Sequence, residues 1–368
     1  MILSDAYLWL SYSHVRTDKI NRLLDRMPIE RLWGSFDAEG RYALDEPTFA
    51  KLKRTRNADF LERAKNYLRL NGIEYVTRAD PAYPERLDQR EVNPPPVLYY
   101  KGDIGLARTD CIAVVGTRQA TSYGRYATDR IVTELAKGGL TVVSGMATGI
   151  DGFAHEAALK AGGKTIAVLG SGLFNPTPAS HLRLFDEISK NGLVISEYTP
   201  DVHATVYTFP ERNRIISGLS RGVLVVEAKA KSGSLITVKC ALEQGRDVFA
   251  VPGDIDSPRS VGTNSLLRQG AAAAVDADDI FDFYGIKRKK ITENAPIELD
   301  FNETAVLNII EAGESSFDAV ATASGLAMPD LCAAVSSLVI KGLIREKAKN
   351  VYCSVRPASG AERKENEQ

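Results

Sequence analysis

Between residues 110 and 285, six short runs of β-branched and small apolar residues alternate with stretches of helical periodicity. The runs cover residues 111–116, 140–145, 165–170, 193–196, 222–227 and 247–252, as in Cys111-Ile112-Ala113-Val114-Val115-Gly116. Alternation of this kind specifies an α/β chain with a doubly wound, parallel sheet and helices on both faces. Sheets so built hold ligands outside the carboxyl ends of their strands. The loops at Gly116, Gly145, Gly170, Glu227 and Pro252 are therefore expected along one edge, and any site there is composite.

The flanks read differently. Residues 1–75 suggest a small module of short helices, with Leu8, Leu10, Ile20, Leu23 and Leu24 at helical spacing and Leu61, Ala64 and Leu68 on a later helix. A proline-rich passage through Pro81, Pro84 and Pro94-Pro95-Pro96 leads to a strand-like Val97-Leu98-Tyr99-Tyr100, so the α/β domain is placed at 76–285. The basic run Lys287-Arg288-Lys289-Lys290 opens a polar stretch, 286–299, that reads as a solvated linker. Residues 300–355 follow the order helix, helix, Gly325 turn, helix and strand pair, which is the order of a winged helix-turn-helix. The tail, 356–368, is polar and expected to be disordered.

Formal net charge is -1, so attraction to nucleic acid requires a local patch. Cys111, Cys240, Cys332 and Cys353 form no CxxC pair, which suits reduced thiols and implies no metal site. With no basic leader and no apolar run of spanning length, a cytoplasmic protein without membrane contact is expected.

The segment Phe209-Pro210-Glu211-Arg212-Asn213-Arg214-Ile215-Ile216 places two arginines at the start of a helix, where the helix dipole disfavours cations. Pro210 suits the first helical position. Ile215, Ile216 and Leu219 then share one apolar face, with Arg212 in its midst; Asn213 and Arg214 point to other sides. A buried arginine needs an anion. Either a carboxylate such as Glu227 or Glu197 answers it, or a phosphate backbone does, with Phe209 offering a ring for a base. Small, hydroxyl-rich turns at Gly116-Thr117-Arg118, Ser144-Gly145 and Gly170-Ser171 can hold phosphate oxygens through backbone N–H groups. The loop Lys229-Ala230-Lys231-Ser232-Gly233-Ser234 adds cations and hydroxyls in a backbone-contacting role.

Other motifs dissolve on inspection. Gly163-Lys164-Thr165 resembles the end of a P-loop, yet Ala158 stands where glycine is required and the segment runs from helix to strand. Asp151 and His155 read as a helix cap and a packed histidine, not as an acid-base pair. Charge separates the regions: residues 205–246 hold seven basic against three acidic residues, whereas 291–340 hold eight acidic residues and no lysine or arginine. The third helix of the winged-helix region therefore suits contact with protein better than insertion into a DNA groove.

Residues from about 80 to 285 resemble the DNA-processing protein A family, also called Smf. The resemblance rests on Val114-Val115-Gly116-Thr117-Arg118, Ser144-Gly145 with Gly149-Ile150-Asp151 and His155, the 209–220 run, Val225-Val226-Glu227-Ala228 with Ser232-Gly233-Ser234-Leu235, and Val248-Phe249-Ala250-Val251-Pro252-Gly253. It implies an extended Rossmann-like domain, preceded by a sterile-alpha-motif-like helical domain and followed by a winged helix. It further implies a homodimer that binds single-stranded DNA, protects incoming strands and loads the RecA recombinase during natural transformation, with no catalytic step and no cofactor. Carried onto this chain, the DNA contacts fall on Gly116, Thr117, Arg118, Ser144, Gly145, Gly170, Ser171, Phe209, Arg212, Asn213, Arg214, Lys231, Ser232, Gly233 and Ser234.

The chain departs from the family where Leu173-Phe174-Asn175-Pro176-Thr177-Pro178 replaces an aspartate-containing loop ending in Tyr-Pro. It departs again where Ser13-His14-Val15-Arg16 stands in place of a glycine-rich hairpin. The competing expectation is a Rossmann-like nucleotide-binding enzyme or phosphoribohydrolase. Against it, Pro252-Gly253-Asp254 departs from the loop such enzymes use, and Gly262-Thr263-Asn264 is followed by no glutamate at the required place.

Overall fold

The computed structural model describes residues 3–37, 44–288, 299–313 and 315–355. The chain divides into two units, residues 1–291 and 292–368. Lys289, Lys290, residues 291–298 of the anticipated linker and the tail 356–368 lie outside the described residues.

The first unit opens with five helices among the described residues: α1 (Leu3–Tyr12), α2 (Thr17–Leu24), α3 (Ile29–Gly34), α4 (Glu46–Thr55) and α5 (Ala58–Leu70). Their starts are locally encoded, since Asp45 caps α4 by accepting the N–H of Thr48 and Asn57 caps α5 by accepting that of Phe60. Trp9, Leu8, Leu10, Ile20, Leu52 and Leu68 bury their side chains between these helices. The Trp9 indole, left without water, donates to the Leu52 carbonyl at 2.7 Å.

A nine-stranded sheet follows. Its strands are β1 (Glu74–Thr77), β2 (Val97–Gly102), β3 (Cys111–Val115), β4 (Thr141–Ser144), β5 (Thr165–Val168), β6 (Leu193–Ser196), β7 (Gly222–Val225), β8 (Asp247–Ala250) and β9 (Ala272–Ala273). Their spatial order is β1-β2-β6-β5-β4-β3-β7-β8-β9. The seven strands from β6 to β9 are mutually parallel, and β2 and β1 extend the β6 edge antiparallel. β3 to β7 are buried along their whole length, which is why they read as unbroken apolar runs with no alternation.

Helices cover both faces: α6 (Ser122–Lys137), α7 (Ile150–Lys160), α8 (Leu182–Asn191), α9 (Thr208–Leu219), α10 (Ser234–Glu243), α11 (Val261–Arg268) and α12 (Asp278–Tyr284). One face carries Ile112, Val114, Val142 and Leu224 under α6, α7 and α12, and continues through Ala167, Val194, Val97 and Tyr99 into the core of the N-terminal helices. The other face carries Ala113, Val115, Val168 and Val225 under Ile215, Ile216 and Leu219 of α9 and Val238 and Ala241 of α10. The N-terminal helices thus share a core with the sheet. Arg288, anticipated as part of a solvated hinge, instead pairs with Asp278 at 2.6 Å and lies over the Phe281 ring at 5.0 Å.

The second unit comprises α13 (Phe301–Glu311), β10 (Ser315–Ser316), α14 (Phe317–Ser324), α15 (Met328–Ile340), β11 (Ile344–Ala348) and β12 (Val351–Ser354), with strand order β10-β12-β11. Val306, Leu307, Ile310, Val320, Leu331 and Leu338 form its core. Gly325 ends α14 in the left-handed region, at φ +62, where a side chain is strained. Among the described residues no single helix is long and apolar enough to cross a membrane.

Candidate nucleic-acid interface

Chain order along the sheet reverses at β3, with β4, β5 and β6 on one side and β7, β8 and β9 on the other. Such a reversal parts the loops that leave its two central strands and opens a crevice between them. A cleft of about 570 Å³ lies there. Three segments supply most of its wall: Gly116, Thr117 and Arg118 after β3; Lys229, Lys231, Ser232, Gly233 and Ser234 after β7; and Phe209, Arg212 and Asn213 in the first turns of α9. Ten of the fifteen sequence-predicted residues therefore line one cavity.

α9 begins earlier than its sequence suggests. Thr208, not Pro210, is its first residue, and the Thr205 hydroxyl accepts the N–H groups of Tyr207 and Thr208 at 3.3 Å each. Pro210 still falls within the first turn, where its missing N–H costs nothing. The apolar face packs on the sheet as its spacing requires and carries Arg212 down with it, leaving that residue only 4% exposed.

The Arg212 guanidinium donates through Nη1 to the carbonyls of Gly145 (2.8 Å) and Val168, and through Nε to Asn213 Oδ1 at 3.2 Å. No hydrogen bond engages its Nη2 among the described residues. Burial draws the group down to about 10, opposed by the nearby Asp151 carboxylate, so it stays charged at neutral pH. Asp151 faces the reverse situation. Burial raises its carboxyl, opposed by Arg212 and by the N–H groups of Ala147 and Gly145.

Asp151 is thus a member of the cleft wall and not the cap of α7, whose N-cap is Gly149; its carboxylate turns back to accept the Ala147 N–H at 3.4 Å. The spacing of Asp151 from Gly149 fits a cap as well as it fits this turn, and only the fold brings Arg212 alongside. His155 is packed, as expected: fully buried, hydrogen-bonded to the Thr165 hydroxyl at 2.6 Å, and pushed by burial to about 3.

Arg118 is exposed at the mouth, its guanidinium over the Phe209 ring at 5.2 Å. That ring supports the arginine by a cation-π contact. Its underside meets Gly170, where a Cβ would come within 2.9 Å of Phe209 Cδ1. Gly145 serves Arg212 in the same way, since a Cβ there would lie 2.6 Å from Nη2. Gly145 and Gly170 therefore make room for the cleft's side chains instead of lining it themselves.

Three further expectations are corrected. Ser144 is fully buried and donates to the Val114 carbonyl at 2.7 Å; Ser171, 1% exposed, donates to that of Asn175 at 2.8 Å. Both hydroxyls tie loops and neither faces the cleft. Arg214 is spent in a two-toothed ion pair with Glu197, at 2.6 and 2.7 Å, so the carboxylate considered for the buried Arg212 answers its neighbour instead.

Electrostatics then separates two helix starts at this edge. At α6, Glu227 (2% exposed) accepts the N–H of Thr121 at 2.9 Å and its hydroxyl, so a carboxylate of the protein occupies the anion seat that a dinucleotide's phosphates would use. At α10 no carboxylate sits on the start: the N-cap Gly233 has no side chain, the Ser234 N–H meets only the neutral Ser232 hydroxyl at 3.4 Å, and the exposed Lys229 and Lys231 line the same cleft. With Arg118 and Arg212, these make four cations against Asp151, a net +3 in the lining. Lys229 and Asp151 are the charged wall residues that the sequence-predicted set lacked. Lys229 was legible as a neighbour of Lys231.

Comparison with known proteins gives a consistent result. Residues 74–285 match the family model described as DNA recombination-mediator protein A. The chain is 42% identical over 234 residues to DNA processing protein DprA of Bacillus subtilis, covering 63% of this chain and 78% of that one. It is 47% identical over 189 residues to Protein Smf of Escherichia coli, covering 51% and 50%. Among solved structures it resembles DNA processing protein A of Streptococcus pneumoniae, with a TM-score of 0.66, 36% identity and coverage of 75% and 97%. It also resembles that of Helicobacter pylori, reported for a unique single-stranded DNA binding mode, with a TM-score of 0.51, 32% identity and coverage of 58% and 95%.

Proposed function

This chain belongs to the DNA recombination-mediator protein A family, and from that premise we propose that it binds single-stranded DNA in the cleft at the β3 and β7 reversal. In this reading it shields incoming strands and loads the RecA recombinase on them during natural transformation, acting as a homodimer in the cytoplasm and making or breaking no covalent bond. The observation that carries the reading is the charge arrangement of the cleft: four cations and a helix start bearing no carboxylate line it, while the neighbouring dinucleotide seat is closed by Glu227.

A phosphate entering this cleft meets Arg118 at the mouth, the α10 start with Lys231 and Ser232 on one wall, and the unspent Nη2 of Arg212 deeper in. Backbone contacts of this type bind without reading sequence. Tyr207, 76% exposed beside the cleft, is freer to stack on a base than Phe209, whose ring already supports Arg118. Each such stack is worth roughly 1 to 3 kcal/mol. A homodimer joins two clefts into one longer path for the strand.

Fluorescence anisotropy of a labelled oligothymidine across a salt series tests this. Each phosphate neutralised on a single strand adds about 0.7 to the slope of log affinity against log salt. Arg118→Glu is expected to abolish binding with its fold unchanged by circular dichroism. Binding by folded Arg118→Glu with wild-type affinity and slope would overturn the assignment of the cleft.

A further inference from the structure

Arg212 and Arg214 stand two residues apart on α9, about 200° around the helix, so when one faces the cleft the other faces away. Arg214 faces Glu197 and Asn93. Nη1 and Nη2 take both oxygens of Glu197, at 2.6 and 2.7 Å, Nη1 also reaches the Glu211 carbonyl at 3.0 Å, and Nε reaches the Asn93 carbonyl at 3.2 Å. The two side chains are 13% and 7% exposed, so the fork is shielded from competing water.

Both acceptors are held in turn from α2. The Thr17 hydroxyl donates to Glu197 Oε2 at 3.0 Å, and Asn21, one turn later, donates through Nδ2 to Asn93 Oδ1 at 2.7 Å and to the Pro94 carbonyl at 2.9 Å. Asn93 itself sits at φ +55, a conformation its neighbours must fix. Two hydrogen-bonded routes thus run from α2 to the back of α9. On the front, Arg212 has little slack: its Nη2 packs where even a methyl group on Gly145 would collide, and its Nη1 is shared between two carbonyls, one just past β4 and one at the end of β5.

We propose that Arg214 is a positioning residue: held by Glu197 and, through it, by Thr17 of the N-terminal helices, it fixes the rotation of α9 and so places Arg212 and Asn213 for the DNA strand. The N-terminal helices become part of the binding machinery without touching the ligand. This rests on the cleft being the DNA site, as argued above.

Removing Glu197 would strand a buried charge, so Thr17 is the cleaner handle. Full-length wild type, Thr17→Val, Thr17→Ser, Arg214→Lys and Arg118→Glu are to be compared by anisotropy with oligothymidine across a salt series, their folds checked by urea unfolding. Thr17→Val is expected to weaken binding about 3- to 10-fold, Thr17→Ser to restore it, and Arg214→Lys, which keeps the charge and loses the fork, to weaken it likewise. Salt slopes are expected to stay at the wild-type value in all three, because no phosphate contact is lost. Wild-type affinity in Thr17→Val and Arg214→Lys, with binding lost in Arg118→Glu, would overturn the positioning role alone. A flattened slope in Thr17→Val or Arg214→Lys would show that phosphate contacts are lost with the change and also overturn it. Unchanged binding in Arg118→Glu would remove the cleft assignment and this inference with it.

Discussion

At the scale of single residues, the cleft is tuned by one carboxylate among cations. Asp151 is buried beside Arg212, and its raised pKa means that protonation begins above the usual aspartate range. Protonating it removes the one negative charge from the lining, so DNA affinity is expected to rise as pH falls through that range. The sign for folding is the same: a carboxyl raised in the folded state makes the fold more stable as pH falls through its folded value. Asp151→Asn is expected to bind oligothymidine more tightly at pH 7.5 and to show a flatter pH dependence, measured by anisotropy between pH 5 and 8. A variant with the wild-type pH profile would mean that Asp151 does not set the charge of the cleft. His155, held near 3 by burial, stays neutral throughout that range and contributes nothing to it. Gly145→Ala has a different consequence, because its methyl group would displace the Arg212 guanidinium. Binding is expected to fall at least about tenfold, a loss on the order of 1.4 kcal/mol, with the cooperativity of unfolding retained. Wild-type affinity would show that Arg212 is not needed where it stands.

At the scale of elements, what could be read in advance depended on whether the deciding contact was local. β3 to β8 were legible because strands buried on both faces must be apolar throughout. β1 and β9 were not, since Glu74-Tyr75-Val76-Thr77 and Ala272-Ala273 owe their extended form to pairing with β2 and β8. α9 shows the same division within one helix. Its apolar face and its buried Arg212 follow from angular spacing, whereas the partner of Arg214 lies 17 residues away and is chosen by the sheet. Thr121 and Glu227, 106 residues apart, are a still longer-range case. Glu227 accepts the N–H and hydroxyl of Thr121, the residue that caps α6, and fills the space above Gly124, so Glu227→Gln is expected to lower stability by about 1 to 2 kcal/mol in urea unfolding while DNA affinity per folded molecule is unchanged. Loss of affinity without loss of stability would place Glu227 in the binding site and not behind it. In the second unit, hydrogen bonds from Lys341, Ser337 and the Asp300 N–H hold the Glu303 carboxyl down to about 2. Its contribution is present above the ordinary glutamate value of 4.5 and is lost as pH falls from there toward 2. Acid unfolding of this unit, followed by circular dichroism, is therefore expected to shift to higher pH in Glu303→Gln; an unshifted transition would rule that contribution out.

At the scale of the molecule, the charge is partitioned along the chain. The net charge of -1 conceals a cleft with a surplus of three positive charges and a stretch from 291 to 340 with eight acids and no lysine or arginine. Binding to DNA is accordingly expected to depend on the cleft's loops and to fall steeply with salt despite the near-neutral whole. The most direct measurement is photochemical cross-linking of the full-length protein to an oligodeoxynucleotide carrying iodouracil, with the adducts mapped by mass spectrometry. Adducts are expected at Tyr207 and within residues 116–119 and 229–234, and are expected to disappear in Arg118→Glu. Adducts confined to residues 3–37 or 299–355, and retained in that variant, would contradict the account.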